Sequence, residues 1–309
     1  MLPVIQPDPG PPPFERIAIV GFGLVGGSIA LAVRQGWRGG LIIAIDRKDV
    51  LEAAMRVHAA DVAGDDLVMA SGADLIILAA PVRQNIALLG RLAEYVPGPA
   101  LVTDVGSTKA DMVEAAAGLP ERLRFIGGHP LAGAAAGGFD AARPDLFRGR
   151  PWILTPDRPD DDGQWAVGDG PSAMGSLERL ERFVTALGAT PVTMGADEHD
   201  RLLAWLSHLP QLTASALMHV VGERAGAAGL ALAGRGLRDT TRLASSPAGI
   251  WQDIAATNTE QLSAALGDLV DALERLRADL SEGSELKRIF ESAARWKANL
   301  ESAGFKDTG

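Results

Sequence analysis

Arg16–Val20 is a short apolar run, β-branched at Ile17, Ile19 and Val20, and it leads straight into Gly21-Phe22-Gly23-Leu24-Val25-Gly26. The next segment, Gly27 to Arg34, is helical in pattern and rich in small residues. A buried strand, a G-x-G-x-x-G turn and a helix in that order leave few folds open. The first glycine suits a tight turn, the second lets backbone approach a pyrophosphate, and the third lets the helix pack on the strand. Phosphates would lie at the helix N-terminus, where free N–H groups and the macrodipole favour negative charge. Gly21, Phe22, Gly23, Leu24, Val25 and Gly26 are therefore the candidate dinucleotide-binding residues.

Leu41–Ile45 reads as the next buried strand, and Asp46 ends it, 20 residues after Gly26. At that spacing a carboxylate hydrogen-bonds the adenosine ribose hydroxyls and repels a 2′-phosphate, so the expected cofactor is NAD rather than NADP. Arg47 and Lys48 follow at once and temper that preference. The bland alternative for Asp46 is a strand-end turn residue.

Further strands are expected over Asp74–Ala80, Ala100–Thr103, Arg124–Ile126, Pro151–Leu154 and Thr190–Met194, with a helix over Leu177–Leu187 and a solvated loop over Asp157–Ser176. In an open α/β sheet, ligands bind beyond the carboxyl ends of the strands. Two polar residues fall there. Ser107 follows the Ala100–Thr103 strand within Asp104-Val-Gly-Ser-Thr-Lys109; its alternative job is to cap a helix over Lys109–Ala117. His129 follows Arg124–Ile126 within Gly127-Gly-His-Pro-Leu-Ala-Gly133. Pro130 removes a backbone donor and biases His129 towards an extended conformation. The expectation is an imidazole on a stiff loop, with a plain exposed turn as its alternative. Three strand ends converging on one cleft favour the functional reading.

From Asp197 onward helical patterns take over. One long helix is expected over His199–Val221, kinked or broken after Leu209 by Pro210, a second over Gly249–Leu280 and a third over Glu285–Leu300. Their apolar surface exceeds what one chain need bury, which points to homodimerisation. Between the helices lies Gly236 to Trp251, with Arg238, Asp239 and Arg242; arginine suits bidentate carboxylate binding. The alternatives are a surface charge for Arg242 and a core histidine for His208. The fold class is therefore α/β, a doubly wound Rossmann-type sheet followed by an all-helical dimerisation domain. The divisions are a disordered Pro-rich tail over 1–13, an NAD-binding domain over 14–195 and a helical substrate and dimerisation domain over 196–309.

Composition removes other function classes. The net charge of −10 argues against neutralising nucleic-acid phosphates. With no cysteine, disulfides, thiol nucleophiles and cysteine-held metals are excluded. No apolar run reaches the roughly 20 residues of a membrane span, and the N-terminus lacks the order of a secretory signal, so a cytoplasmic protein is expected.

With these residues in view, the chain resembles the prephenate/arogenate dehydrogenases of tyrosine biosynthesis. The likeness runs from about Arg16 to about Leu300. It rests on GFGLVGGSIA at Gly21–Ala30, DVGSTK at Asp104–Lys109, GGHPLAG at Gly127–Gly133, DLFRGRPWILTP at Asp145–Pro156, SHLPQ at Ser207–Gln211 and GLRDTTRLASSPAGIW at Gly236–Trp251. The resemblance implies that His129 is the catalytic histidine bonded to the substrate's ring hydroxyl and that Ser107 shares that hydroxyl. It implies that Arg242 holds a substrate carboxylate, that His208 lies near the substrate side chain, and that Asp239 and Trp251 are pocket or dimer-contact positions. The implied reaction is NAD-dependent oxidative decarboxylation of prephenate, or of arogenate, without a metal. Two departures stand out: Ala134-Ala135-Ala136 where many relatives carry a polar or acidic pair, and Gln211 where a histidine is frequent. The alanine run supplies no acid for an ammonium and so leans towards prephenate. No fused regulatory or mutase domain is expected, so tyrosine feedback would act at the active site. Competing readings are a β-hydroxyacid dehydrogenase, a pyrroline-5-carboxylate reductase or a non-catalytic NAD-binding sensor; the GGHP and SHLP segments, with His129 and Arg242 both present, argue against them.

Overall fold

The structure, a computed structural model, describes residues 13–37, 39–133, 136–156, 158–159, 165–166 and 171–302. The expected tail over 1–13 and the first two residues of the alanine run at 134–136 fall almost wholly outside these residues.

Eight strands form one sheet: β1 (Arg16–Val20), β2 (Leu41–Ile45), β3 (Val62–Gly64), β4 (Leu75–Leu78), β5 (Ala100–Asp104), β6 (Leu123–Pro130), β7 (Pro151–Pro156) and β10 (Thr190–Thr193). A two-stranded ribbon, β8 (Arg158–Pro159) with β9 (Trp165–Ala166), stands apart. The sheet order is β10-β7-β6-β5-β4-β1-β2-β3. Every pairing in it is parallel except β6 with β7. The strands read as unbroken apolar runs because both faces are covered. Ile17, Ile19, Leu75 and Ile77 pack on one face with Ile29 and Val33 of α1 (Leu24–Gly36) and with Phe183 and Val184 of α5 (Pro171–Ala186). Ala18, Val20, Ile76 and Leu78 pack on the other with Leu89 and Leu92 of α3 (Val82–Tyr95) and Met112 of α4 (Ala110–Ala116). α2 (Lys48–Arg56) follows β2. Gly188 ends the α5 connection at φ +87°, a conformation that favours glycine.

Three sequence expectations are corrected. His129 does not sit on a loop: β6 runs through it to Pro130, with His129 opposite Ile153 of β7. β5 pairs with β6 only as far as Ile126, so beyond that point one side of β6 has no partner strand and Pro130 is tolerated there. The expected helix over His199–Val221 is three pieces: α6 (Ala196–Leu203), a π-helical turn (Ala204–His208) and α7 (Leu209–Leu230). Pro210 follows directly on the π-helical turn, and the backbone stays helical through His208 (φ −76°, ψ −46°). The expected helix over Gly249–Leu280 is α9 (Ala248–Thr257) and α10 (Thr259–Ala278), parted by Asn258 at φ −145°. A short α8 (Arg235–Thr240) precedes them.

The chain divides into compact units at Met1–Thr259 and Glu260–Gly309. In the second, α10 turns at Gly283 (φ +77°) into α11 (Ser284–Ser302). Asp279 accepts from the Glu285 N–H (2.6 Å) and the Ser284 hydroxyl (3.0 Å), which fixes that turn. Leu266, Val270 and Leu273 on α10 and Leu286, Phe290 and Trp296 on α11 are exposed.

At the β1–α1 junction each glycine has its own reason. Gly21 has φ +95°, and a Cβ there would stand 2.5 Å from the Ala79 carbonyl carbon. A Cβ on Gly26 would lie 2.1 Å from the Gly21 oxygen, whereas one on Gly23 would meet nothing within 4 Å. Gly26→Ala should therefore cost roughly 1–3 kcal/mol as overpacking and lower the Tm by several degrees. Gly23→Ala should leave the thermal melt of the cofactor-free protein within about 2 °C of the parent. Equal melts for both variants would contradict this division of roles.

Candidate active site

The junction leaves an open cradle. Gly23 begins α1 without a side-chain cap, and no acidic residue lies in the first turn, so the helix presents free N–H groups and a positive dipole end. Together with the open space over Gly23, this fits a dinucleotide pyrophosphate. Asp46 accepts from the Phe22 N–H (2.5 Å) and the Arg47 N–H (2.6 Å), so its carboxylate fastens the glycine loop to the end of β2. The Phe22 ring is fully buried and stacks on Phe139 at 5.7 Å, so any contact it makes with a cofactor is through its backbone. Leu24 and Val25 are half-buried and pack on the core.

His129 is held from beneath. Asp104, at the end of β5, accepts from the Gly128 N–H (3.0 Å), the Gly106 N–H (2.8 Å) and the Lys109 ammonium. Asp104 and Lys109 are both fully buried. The two glycines before His129 are forced by crowding. A Cβ on Gly127 would stand 2.2 Å from the Thr155 hydroxyl, and one on Gly128 would stand 2.5 Å from the Asp104 carbonyl oxygen.

The imidazole itself is the end of a buried chain of hydrogen bonds. His129 Nδ1 is 2.8 Å from His199 Nε2, and His199 Nδ1 is 2.7 Å from Asp200 Oδ1. Asp200 also accepts from the backbone N–H groups of Lys109 (2.8 Å) and Ala110 (2.9 Å), at the start of α4. Asn258 donates to the Asp200 carbonyl (2.9 Å). Proton positions follow from the donors. An ionised carboxylate only accepts, so His199 carries its proton on Nδ1 and its Nε2 is bare. His129 must then donate from Nδ1, and its Nε2 is left as an acceptor.

The electrostatics agree. Burial pushes the His129 imidazole well below 6.5, reinforced by nearby His199, Lys109 and His208. Burial likewise lowers His199 to about 2 and His208 to about 4, with Asp200 opposing the latter shift. Burial raises Asp200, while its two N–H donors and the Lys109 charge pull it back. All three imidazoles are neutral at neutral pH.

His129 lines a cavity of about 460 Å³ with Leu131, Gly133, Ile153, Met194, Leu206 and Ser207 among its walls. No wall residue is acidic.

A family model described as the prephenate dehydrogenase nucleotide-binding domain matches residues 29–167, and one described as the prephenate dehydrogenase dimerization domain matches residues 195–292. The prephenate dehydrogenase of Bacillus subtilis is 32% identical over 294 residues, covering 93% of this chain and 76% of its own. The chain belongs to the prephenate dehydrogenase family. Among solved structures, the arogenate dehydrogenase of Synechocystis superposes with a TM-score of 0.74 at 31% identity, covering 92% of this chain and 99% of that one. The prephenate dehydrogenase of A. aeolicus in complex with hydroxyphenyl propionate and NAD+ superposes with a TM-score of 0.81 at 25% identity, covering 94% and 98%. This member of the family thus combines an NAD-binding type of sheet with a helical segment.

Of the sequence-predicted site residues, His129 alone lines this cavity. Ser107 lies just past β5, half-buried, with no hydrogen bond to other described residues. Ser107 does not cap α4, whose first N–H groups go to Asp200. His208 is buried on the π-turn, edge-on to Trp251 of α9 at 6.0 Å, with its Nδ1 3.5 Å from the Asn258 amide nitrogen. Its Nε2 is buried without a partner among the described residues. Asp239 on α8 and Arg242 on the 3-10 turn Arg242–Ser245 are exposed and do not line the cavity. His199, Asp200 and Asn258 escaped the sequence reading. The available signal was an adjacent His-Asp pair one helical piece upstream of the Ser207-His208 break.

Neutral buried histidines carry a stability signature. The folded pKa of His208, about 4, lies below the unfolded 6.5, so as pH falls through 6.5 the unfolded chain takes up a proton that the folded one refuses. Its stabilising contribution is therefore full above 6.5 and is lost down to about 4. Between pH 7.5 and 5 this amounts to roughly 1–2 kcal/mol. In urea melts, His208→Asn should show a correspondingly smaller loss of stability over that interval than the parent. An unchanged loss would mean that His208 is not held neutral.

Proposed function

We propose that this chain catalyses NAD-dependent oxidative decarboxylation of prephenate to 4-hydroxyphenylpyruvate, the keto precursor of tyrosine, as a cytoplasmic homodimer. Residues 14–195 form its nucleotide-binding part and 196–309 its helical part. The carrying observation is the Asp200–His199–His129 chain, which leaves an unprotonated Nε2 on an imidazole that lines the cavity.

NAD, when bound, takes up the hydride from C4 of the substrate. As that hydride leaves and carbon dioxide leaves C1, the C4 hydroxyl gains carbonyl character. His129 Nε2 accepts its proton and returns it as the ring becomes a phenol, so no net proton is consumed. Help of this kind supplies about 10²–10⁴-fold. Ser107 shares the hydroxyl, Arg242 holds a carboxylate, and His208 and Trp251 bound the side-chain end. Asp239 stands in the same segment as Arg242, at a pocket or dimer contact. Gly21 to Gly26 seat the pyrophosphate, and Asp46 takes the adenosine ribose and disfavours a 2′-phosphate. The absence of an acidic side chain from the cavity wall supports a keto side chain over an ammonium.

NADH formation with prephenate and with arogenate, each with NAD+ and NADP+, tests the reading. Turnover with prephenate and NAD+ is expected; turnover with arogenate alone would overturn the substrate, and none with either would overturn the reaction. Asp200→Asn is the sharper probe. The neutral amide has one oxygen for the three N–H donors that Asp200 meets, those of His199, Lys109 and Ala110, so the chain loses its charge and at least one hydrogen bond. A fall in kcat of roughly 10²-fold or more is expected, with substrate KM within about threefold. A kcat near the parent's would remove Asp200 as the group that orients His129.

The exposed stripe on α10 and α11 supports the dimer. Light scattering should report two 32.2 kDa chains per particle. The double variant Leu273→Glu/Phe290→Glu should give a monomer, and an unaltered dimer would place the interface elsewhere.

A further inference from the structure

We propose that Gln211 is a positioning residue for the substrate carboxylate, because its amide clasps the turn that carries Arg242. The inference rests on the reading of Arg242 as the carboxylate-binding arginine.

Gln211 lies in the first turn of α7, just after Pro210, and is only 5% exposed. Its amide is fully engaged. Nε2 donates to the Leu243 carbonyl at 2.7 Å and to the Ser215 hydroxyl at 3.2 Å. Oε1 accepts from the Ser246 hydroxyl at 3.1 Å, and the same hydroxyl lies 3.0 Å from the Leu243 carbonyl. The clasp therefore grips Leu243 and Ser246, on the C-terminal side of Arg242. On the other side, the Thr241 hydroxyl donates to the Leu237 carbonyl at 2.7 Å. The Arg242 backbone is fixed from both flanks.

Its side chain is not. Arg242 is exposed and makes no ion pair with the described residues. A guanidinium on an anchored backbone with an uncommitted head is arranged to meet an anion from outside, and anchoring the stem lowers the entropy lost on binding. The same helix start follows directly on the π-turn that holds Ser207 and His208. One buried amide thus ties the register of the arginine turn to the segment that borders the cavity. A glutamine placed there only to fill space would be replaceable by an apolar side chain of equal length. One placed as a clasp would not, since Leu243 and Ser246 would keep only each other and lose their tie to α7.

The test is a double-mutant cycle between Gln211→Met, which keeps length and volume, and Arg242→Ala, read as KM for prephenate, KM for NAD+, kcat and Tm. Gln211→Met should raise the KM for prephenate about tenfold, leave kcat and the NAD+ KM within about twofold, and have no further effect in the Arg242→Ala background. If Arg242→Ala raises the KM and Gln211→Met does not, the clasp is refuted while the arginine assignment stands. If Gln211→Met acts equally in both backgrounds, or lowers only kcat and Tm, its role is structural. If Arg242→Ala leaves the KM unchanged, the arginine assignment falls and the clasp with it. Should Gln211→Met fail to fold, Ser246→Ala removes one bond of the clasp and should give a smaller rise, about threefold, with the same dependence on Arg242.

Discussion

The site depends on one buried carboxylate. Asp200 is taken out of water and given three donors in return: two backbone N–H groups at the start of α4 and the His199 imidazole. A carboxylate so placed stays an acceptor, and every proton in the chain is then ordered by it. It also does mechanical work. Asp200 belongs to α6, yet it satisfies the open end of α4, which follows β5, and so binds the first helix after the sheet to the strand edge that carries His129. Orphaned N–H groups and a tautomer problem are solved by the same two oxygens.

Small residues serve opposite ends at the two glycine-rich segments. Gly21, Gly26, Gly127 and Gly128 are closed positions, where a methyl group would strike backbone or a buried hydroxyl. Gly23 is an open one, and there the missing side chain makes room for something outside the protein. A run of glycines cannot be sorted into these classes from composition. Sorting it needs the neighbouring strand, since Ala79, Asp104 and Thr155 supply the collisions.

Much of the architecture was legible because it depends on short-range pattern. The strands Arg16–Val20 and Leu41–Ile45 and the glycine turn between β1 and α1 all follow from local apolar runs and their ends. The relay was not legible, because Asp200 is joined to Lys109 across 91 positions and His199 to His129 across 70. Pro130 misled, since proline argues against a strand interior and the free side of β6 beyond Ile126 could not be foreseen. The Ala204–His208 turn misled in the same way: apolar spacing continues through it, and only the backbone shows that the helix widens there. Thr108 and Thr257, 2.7 Å apart, show the same limit, since nothing in either segment announces the other.

Charge around the reacting centre is arranged to cancel. Lys109 carries the cation nearest the relay, but it is buried against Asp104, whose attraction opposes the fall that burial imposes on its pKa. The pair's work is spent on geometry, because Asp104 also holds Gly106 and Gly128. His129, His199 and His208 are neutral for want of solvent. In the proposed reaction, a doubly negative substrate would meet neutral imidazoles at His129, His199 and His208. A cation there would compete for the carboxylates and raise the cost of protonating the imidazole. Arg242, exposed and without an ion pair to the described residues, sits on a separate turn. In the proposed reaction, orientation and proton acceptance would fall to different elements, with the hydrogen bonds of Gln211 on the one and of Asp200 on the other.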